Sequence, residues 1–171
     1  MERYRTSGVV DENALNEVQK YLISGKAKWV MRILAAVYVL FGLSAIIAAR
    51  DVYAVMCLVL GVLLGILPRL VSRRLVKTNV ARLKEAYPGG VRAMESYFDQ
   101  DGLVVINRSG GENVHILYPA FNRVAETEHY FFLASKAGQF CLVYKNFLTS
   151  EERASFIPFL KEKCPKIKVM R

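Results

Sequence analysis

The two histidines have the greatest potential for acid–base or metal chemistry among the 171 residues of this sequence. His115 and His129 each lie on or beside a predicted strand. Neither has a Cys, a His or a carboxylate at a recognised metal-ligand spacing. Because catalysis requires several convergent groups, we expect both histidines to be surface or turn residues.

Two further polar groups are explained by turns. Asp99 and Asp101 flank a turn that contains glycine, where Asp is favoured because its side chain bonds the backbone ahead of it. Ser109-Gly110-Gly111 is too short for a phosphate-binding loop and lacks the Lys-Ser/Thr that follows in such loops. Gly-x-Ser-x-Gly and His-Glu-x-x-His are absent from the sequence. The sequence therefore predicts no enzyme activity and no cofactor.

The three cysteines are far apart in the sequence. Cys57, Cys141 and Cys164 show no paired spacing, which argues against a disulfide framework or a zinc knuckle. Cys57 lies inside an apolar run, and the other two are interpreted as buried or half-buried thiols. We predict no metal site.

The basic charge is concentrated in one segment. A net charge of +9 and a pI of about 9.6 suit either nucleic acid or an anionic membrane surface. Residues 68–92 carry seven Lys and Arg against one Glu, whereas residues 93–171 carry ten bases and nine acids. The nearly neutral C-terminal half gives no support for nucleic-acid binding, so its aromatic residues are interpreted as packing residues.

Two uncharged runs, residues 33–49 and 52–68, lie in the N-terminal half. A bilayer core about 30 Å thick requires about 20 apolar residues, so we extend the runs to transmembrane helices at about 29–49 and 52–71. Neither run has the polar stripe of a soluble helix, which makes a buried hairpin in a soluble core the less favoured alternative. The link Arg50-Asp51 is so short that the two helices must be antiparallel neighbours.

Small residues indicate where these helices meet. Gly42, Gly61 and Gly65 are candidate helix-packing residues, and Ala45 and Ala49 extend the strip on the first helix. Such strips serve either the contact inside the hairpin or a homo-oligomer, and we favour the hairpin.

Lys and Arg flank the two spans on one side, which predicts a multi-pass protein of the cell membrane with both termini in the cytoplasm. We predict that Trp29, just before the first uncharged run, is an anchor at the membrane–water interface. Polybasic segments beside a membrane attract anionic lipid, but here we favour topology-setting charge without lipid specificity, and lipid contact is the alternative. The candidate anionic-lipid contacts are Lys26, Lys28, Arg69, Arg73, Arg74, Lys77 and Lys84.

The C-terminal half has short extended runs separated by turns. Strands are predicted at 94–98, 103–107, 114–118, 123–126, 130–134 and 140–144, and their short links indicate an antiparallel sheet. A capping box at 149–152 begins a helix that closes the chain. The fold class is thus α+β, with four divisions: a cytoplasmic segment (1–28), a transmembrane hairpin (29–71), a basic juxtamembrane helix and linker (72–90), and a cytoplasmic β-rich domain (91–171).

Several residues of this half resemble those of the YcxB-like family of bacterial membrane proteins. They are Tyr97-Phe98-Asp99-Gln100-Asp101-Gly102-Leu103, Tyr130-Phe131-x-Leu133 and Tyr144-Lys145-x-Phe147, followed by Glu152, Phe156 and Leu160. Tyr118 and Tyr144 stand where the family's pattern has Trp and Pro. The resemblance implies two spans followed by a YcxB-like domain, and it implies no established activity. A curved sheet ended by one helix is also similar to a pleckstrin-homology-type roll, which is an analogy of fold alone.

Two functions remain open at this point. The first is a membrane-anchored binding or regulatory module that faces the cytoplasm and contacts a protein or lipid. The second is a structural or accessory subunit whose helical hairpin docks onto a larger membrane complex. Transport is disfavoured because the spans contain few polar groups.

Overall fold

The computed structural model describes residues 3–47 and 51–170. The helices within these ranges are α1 (Glu12–Leu22), α2 (Gly25–Ile47), α3 (Asp51–Ala86) and α4 (Ser150–Lys163). The strands are β1 (Arg3–Val10), β2 (Arg92–Phe98), β3 (Gly102–Asn107), β4 (Asn113–Leu117), β5 (Phe121–Glu126), β6 (Tyr130–Ser135), β7 (Phe140–Tyr144) and β8 (Lys168–Met170). The chain divides into a sheet unit, Met1–Val18 with Asn79–Arg171, and a helical unit, Gln19–Thr78.

The sheet unit contains two four-stranded sheets. The first has the order β1-β2-β3-β4 and is antiparallel throughout. The second has the order β7-β6-β5-β8, in which β8 pairs with β5 in parallel and the other pairs are antiparallel. The six predicted strands and their antiparallel pairing are confirmed. The expectation of a single sheet is wrong, because β4 is the last strand of the first sheet and β5 lies in the second. The expectation that a helix closes the chain is wrong, because β8 follows α4 and extends the second sheet.

One hydrophobic cluster joins both sheets to α4. Phe98 comes from the first sheet, Phe131 from the second, and Phe156 and Leu160 from α4, and all four are fully buried. The ring centroids of Phe131 and Phe156 are 4.5 Å apart. Because an isolated helix of 14 residues is marginal in water, this packing is what stabilises α4.

The first turn of α4 has the predicted capping box. The Glu152 amide donates to Thr149 Oγ1 at 3.2 Å, and the Thr149 amide donates to the Glu152 carboxylate at 2.8 Å. Two amides without helical partners are thereby satisfied. Pro158 lies inside α4, which continues to Lys163.

The strand β1 is absent from the sequence-based prediction. It pairs antiparallel with β2, with a register shift between Arg3 and Thr6. Tyr4, inside that irregularity, has a φ of 51°, and a bulge of this kind redirects a side chain. The Tyr4 ring is buried, and its centroid lies 5.2 Å from that of Phe156, while its hydroxyl lies 3.1 Å from Ser155 Oγ. Residues near the N-terminus therefore complete the core.

The helix α3 is 36 residues long and continues through Pro68. The Ser72 hydroxyl donates to the Pro68 carbonyl oxygen at 2.9 Å, and both residues are buried. The predicted basic juxtamembrane helix is thus continuous with the second apolar helix. A short 3₁₀ turn, Pro88–Gly90, separates α3 from β2.

Candidate functional site

Apolar side chains cover the surfaces of α2 and α3. Leu40 is 66% exposed, Phe41 63%, Val52 73% and Tyr53 65%. In the most apolar 18-residue windows of the two helices, 6% and 17% of the residues are buried. Both helices are long and apolar enough to cross a membrane. An exposed apolar surface of this extent is typical of a site that contacts another molecule or lipid.

Gly42 and Gly61 lie where α2 and α3 contact each other. A Cβ at Gly42 would lie 2.8 Å from a leucine side-chain carbon of α3, and a Cβ at Gly61 would lie 2.8 Å from a valine side-chain carbon of α2. A Cβ at Gly65 would meet no described atom within 4 Å. The two helices thus approach each other at two of the three candidate glycines. Ala49 and the linking Arg50 lie outside the described residues.

Four of the candidate lipid contacts are exposed on α3 within the helical unit. They are Arg69, Arg73, Arg74 and Lys77. Arg69, Arg73 and Lys77 recur every four residues, and Arg74 precedes Lys77 by three, so all four lie on one broad side of the helix. The buried residues of α3 follow a different line, which contains Ala54, Gly61, Pro68, Ser72 and Val76. The guanidinium and ammonium groups are therefore directed away from the buried side of α3.

The remaining predicted anchor and lipid contacts differ in their surroundings. Lys26 is exposed in the first turn of α2, and Trp29, one turn later, is 65% exposed. The Lys28 ammonium donates to the Lys20 carbonyl oxygen. Lys84 lies in the sheet unit, with Nζ 3.3 Å from the Glu12 carboxylate. We therefore distinguish Lys84, whose charge is paired, from the basic residues of the helical unit.

Three charged residues of the sheet unit form a cluster that the sequence does not predict. The Arg5 Nε donates to Glu95 Oε1 at 2.7 Å, and the Arg108 Nε donates to Glu95 Oε2 at 2.9 Å. These hydrogen bonds, from Arg108 first and then from Arg5, lower the pKa of Glu95. Both cationic side chains are more than half exposed, whereas that of Glu95 is 11% exposed. The cluster satisfies a carboxylate on the sheet and has the character of a structural ion pair.

The alternation of buried and exposed residues along β1 indicates the strand that carries Arg5. Tyr4, Thr6 and Val10 are buried, whereas Arg5 and Ser7 between them are exposed. Alternation of this kind is typical of a strand with one covered face. The partners of Arg5 follow from strand register alone, which a local pattern does not reveal.

The two histidines are exposed, as the sequence predicts, and each has a carboxylate partner from another element. His115 Nε2 lies 3.3 Å from Asp99 Oδ2, and His129 Nδ1 lies 2.9 Å from Glu17 Oε2. Partial burial raises the pKa of Glu17, but hydrogen bonds, chiefly from the His129 amide, outweigh this effect and lower it. Exposed pairs of this kind contribute little to stability. Among residues 3–47 and 51–170, no group of three or more His, Cys, Asp or Glu side chains is arranged to hold a metal ion.

The predicted role of Asp99 in a turn is confirmed. Its Oδ1 accepts hydrogen bonds from the amides of Asp101 and Gly102 at 2.9 and 2.7 Å. Partial burial raises the pKa of Asp99, and these amides, first that of Gly102, outweigh the effect and lower it. The Tyr118 hydroxyl donates to the Asp99 carbonyl oxygen at 2.8 Å, which connects this turn to the end of β4.

One protein family matches the part of the chain that contains these turns and strands. The family described as YcxB-like protein matches residues 98–160. Residues 98–160 form a YcxB-like domain. This domain begins at the last residue of β2 and ends inside α4, and it follows the two long apolar helices, as the resemblance implies. The chain matches no curated protein and no solved structure.

The YcxB-like domain packs against β1, which lies outside the matched residues. Tyr144 places its ring so close to Gly8 of β1 that a Cβ there would clash. Burial raises the pKa of Tyr144, whose hydroxyl oxygen is buried without a hydrogen-bond partner among the described residues. The glycine at this position of β1 therefore leaves room for the Tyr144 ring.

Proposed function

We propose that α2 and α3 anchor this protein in a membrane and that the sheet unit is a binding or regulatory module that faces the cytoplasm. The exposed apolar surface of the two helices is the observation that carries this proposal. The sheet unit supplies a folded, largely neutral surface with structural ion pairs.

The free energy of hydration favours lipid as the surroundings of α2 and α3. Apolar surface exposed to water costs about 25 cal/mol per Å². Monomeric soluble proteins rarely expose continuous apolar patches larger than a few hundred Å². With 23 residues, α2 is about 34 Å long, which matches a hydrocarbon core of about 30 Å.

The length of α3 explains why its basic residues fall where they do. Its 36 residues extend for about 54 Å, roughly 24 Å more than the hydrocarbon core requires. The second half of α3 therefore leaves the bilayer, and Arg69, Arg73, Arg74 and Lys77 lie at the depth of the lipid headgroups. Positive charge at that end supports a cytoplasmic location for both termini of a multi-pass cell-membrane protein.

A cysteine-labelling experiment tests this orientation. Gln100→Cys lies in the turn between β2 and β3, and Tyr53→Cys lies near the beginning of α3. In a background that lacks Cys57, a membrane-impermeant maleimide applied to intact cells should label Tyr53→Cys and leave Gln100→Cys unlabelled until the cells are opened. Labelling of Gln100→Cys from outside would reject the orientation.

We further infer that anionic lipid contacts the basic side of α3, where each base near the surface contributes about 1 kcal/mol. The test is the lipid composition that co-purifies with the full chain in polymer-bounded native discs. Replacing Arg73, Arg74 and Lys77 by Gln should remove the enrichment of anionic lipid. The matched control replaces three exposed lysines of the sheet unit, Lys161, Lys163 and Lys166, by Gln. Equal enrichment in both triple variants would leave topology-setting charge as the only role of the α3 residues.

For the sheet unit, we propose a roll of the pleckstrin-homology type. The supporting features are a four-stranded antiparallel sheet, a second sheet that begins with β5-β6-β7, and α4 packed on their common core. In this arrangement, α1, α2 and α3 are an insertion between the first two strands of the roll. A likeness of fold supports the idea of a binding module but names no ligand.

One observation favours the alternative of an accessory subunit that docks through its hairpin. A Cβ at Gly65 would meet no described atom within 4 Å, although Gly42 and Gly61 are in close contact across the hairpin. A small residue of this kind allows a further helix to approach α3. Detergent pull-down should then recover one stoichiometric membrane partner from the wild type and none from Gly65→Leu. Recovery of the same partner with both proteins would reject this role of Gly65.

A further inference from the structure

The sheet unit contains a cavity that none of the features described above uses. Its volume is about 410 Å³, within the usual size range of small-molecule sites. Its walls come from residues 79–86 of α3, from β7, and from the adjoining ends of β1 and β2. Most of its lining is apolar, as the residues Leu15, Leu83, Met94 and Leu142 illustrate.

The polar part of this cavity is cationic. Arg82 and Arg92 line it together with two amide side chains, and no Asp or Glu is among its described lining residues. The Arg92 Nε is buried and has no hydrogen-bond partner among the described residues. A guanidinium group is a donor only, so the partner that suits Arg82 and Arg92 is an oxygen acceptor, and an anionic oxygen gives the strongest bond.

The Arg92 guanidinium is held in place by its neighbours. Its central carbon lies 5.9 Å from the centroid of the Tyr87 ring, in a cation–π arrangement. The Tyr87 hydroxyl oxygen in turn accepts a hydrogen bond from Asn107 Nδ2 at 2.9 Å. Arg92 also pairs with Val10 across the first two strands. The donor is therefore positioned before any ligand binds.

We propose that this cavity binds a single-chain anionic amphiphile, with a carboxylate or phosphate head on Arg92 and Arg82 and its alkyl chain along the leucines and Met94. The proposal rests on the binding role proposed above and names its ligand class. The apolar lining accepts the chain, the two arginines accept the head, and the absence of a lining carboxylate favours an anion over a cation.

The experiment uses the full chain in nanodiscs of neutral lipid with ¹³C-methyl methionine. Met94 reports on the cavity, whereas Met31 and Met56 report on the helices, so that binding in the cavity is distinguished from partition into the bilayer. Dodecanoate and dodecyl phosphate should shift the Met94 methyl resonance saturably. Dodecyltrimethylammonium, dodecyl maltoside, acetate and inorganic phosphate should each leave it unchanged, because they lack the anionic head or the chain.

Two pairs of variants complete the test. Arg92→Gln should weaken the apparent Kd about tenfold or more, since a hydrogen bond to a charged group is lost, whereas the exposed control Lys166→Gln should leave it unchanged. Ala86→Phe, at a lining position, should block binding without a change of charge. The control Ala81→Phe, on the same helix outside the cavity, should bind as the wild type does.

Several results would overturn the proposal. They are a Met94 shift of equal size with the cationic amphiphile, an unchanged Kd in Arg92→Gln, equal binding by the two phenylalanine variants, or shifts confined to Met31 and Met56. Resistance of the same protein to alkaline carbonate extraction is measured in parallel. A protein that remains in the membrane without binding dodecanoate rejects the ligand and leaves the anchor intact.

Discussion

The surroundings of α3 are tested most directly by two double variants, each of which introduces two arginines at positions of similar exposure, one on α3 and one on the control strand β4. Leu60 and Leu63 on α3 are 40% and 55% exposed, and Val114 and Leu117 on β4 are 41% and 53% exposed. In each pair, the change replaces two exposed apolar side chains by Arg. The two variants therefore differ mainly in whether the new charges face lipid or water.

The expected difference in free energy is large. An Arg at the centre of a membrane helix costs about 2.5–3.5 kcal/mol, and a Leu there contributes roughly −0.3 to −0.6 kcal/mol. The α3 pair should therefore disfavour insertion by about 7 kcal/mol, which is a factor of about 10⁵ in the equilibrium. On an exposed strand, each change should alter stability by no more than about 0.5 kcal/mol.

Two measurements check this difference. Cell membranes that contain each variant are extracted with alkaline carbonate, and the inserted fraction is measured in parallel by translation with microsomes. The wild type and Val114→Arg/Leu117→Arg should remain in the membrane pellet, whereas Leu60→Arg/Leu63→Arg should be extracted or degraded. Equal retention of both double variants would refute the proposal that α3 lies in a bilayer. The surroundings of α3 would then be water or protein.

Three further predictions concern the fold, and each is checked by thermal unfolding of the purified full chain. Tyr4→Ala should lower the unfolding free energy by about 3–5 kcal/mol. Tyr4→Phe loses only the contact with Ser155 and should lower it by about 1 kcal/mol. Equal losses in the two variants would contradict the packing role of the ring. Gly61→Ala should destabilise the hairpin through its clash with α2, whereas Gly65→Ala should be neutral or stabilising by up to about 1 kcal/mol. A Gly65→Ala variant less stable than Gly61→Ala would contradict the helix contact. The pKa of Glu95 is lower in the folded state, so its contribution to the unfolding free energy is complete at neutral pH and is lost as the pH falls through that pKa. Glu95→Gln should therefore reduce the fall of Tm at acid pH. An unchanged dependence of Tm on acid pH would contradict this role.

The insertion of three helices between β1 and β2 has a practical consequence for such experiments. A fragment that begins after the apolar helices lacks β1, and with it the Tyr4 ring that packs on Phe98 and Phe156. It also lacks Arg5, one of the two cations on Glu95. Studies of the sheet unit therefore require either the full chain or a connection that joins residues near Val10 directly to β2.

Local patterns account for what the sequence predicts correctly. Strand β7 is a short apolar run next to a turn, and the residues from Thr149 to Glu152 carry the whole capping box of α4, so both elements follow from contacts between neighbours in the chain. The apolar parts of α2 and α3 follow from the uncharged runs, and the rest of α3 corresponds to the predicted basic juxtamembrane helix. The pairing of Asp99 with two nearby amides is equally local.

Contacts between distant residues account for what the sequence does not predict. The pairing of β1 with β2 joins residues about 90 positions apart, and the cluster of Arg5, Glu95 and Arg108 exists only in that register. Likewise, the sequence presents Gly42, Gly61 and Gly65 as equivalent, and the packing of α2 on α3 distinguishes the first two from the third.

The sequence by itself determined the two apolar helices, the basic segment after them, the six strands and the capped helix of the C-terminal half, because composition and local hydrogen bonding act over a few residues. The tertiary structure decided that residues 3–10 complete the first sheet, that β8 extends the second, and that Arg92 lies in a cavity beside Tyr87. These features depend on strand register and on the packing of distant segments. Their energy comes from side chains that meet only after the chain has folded.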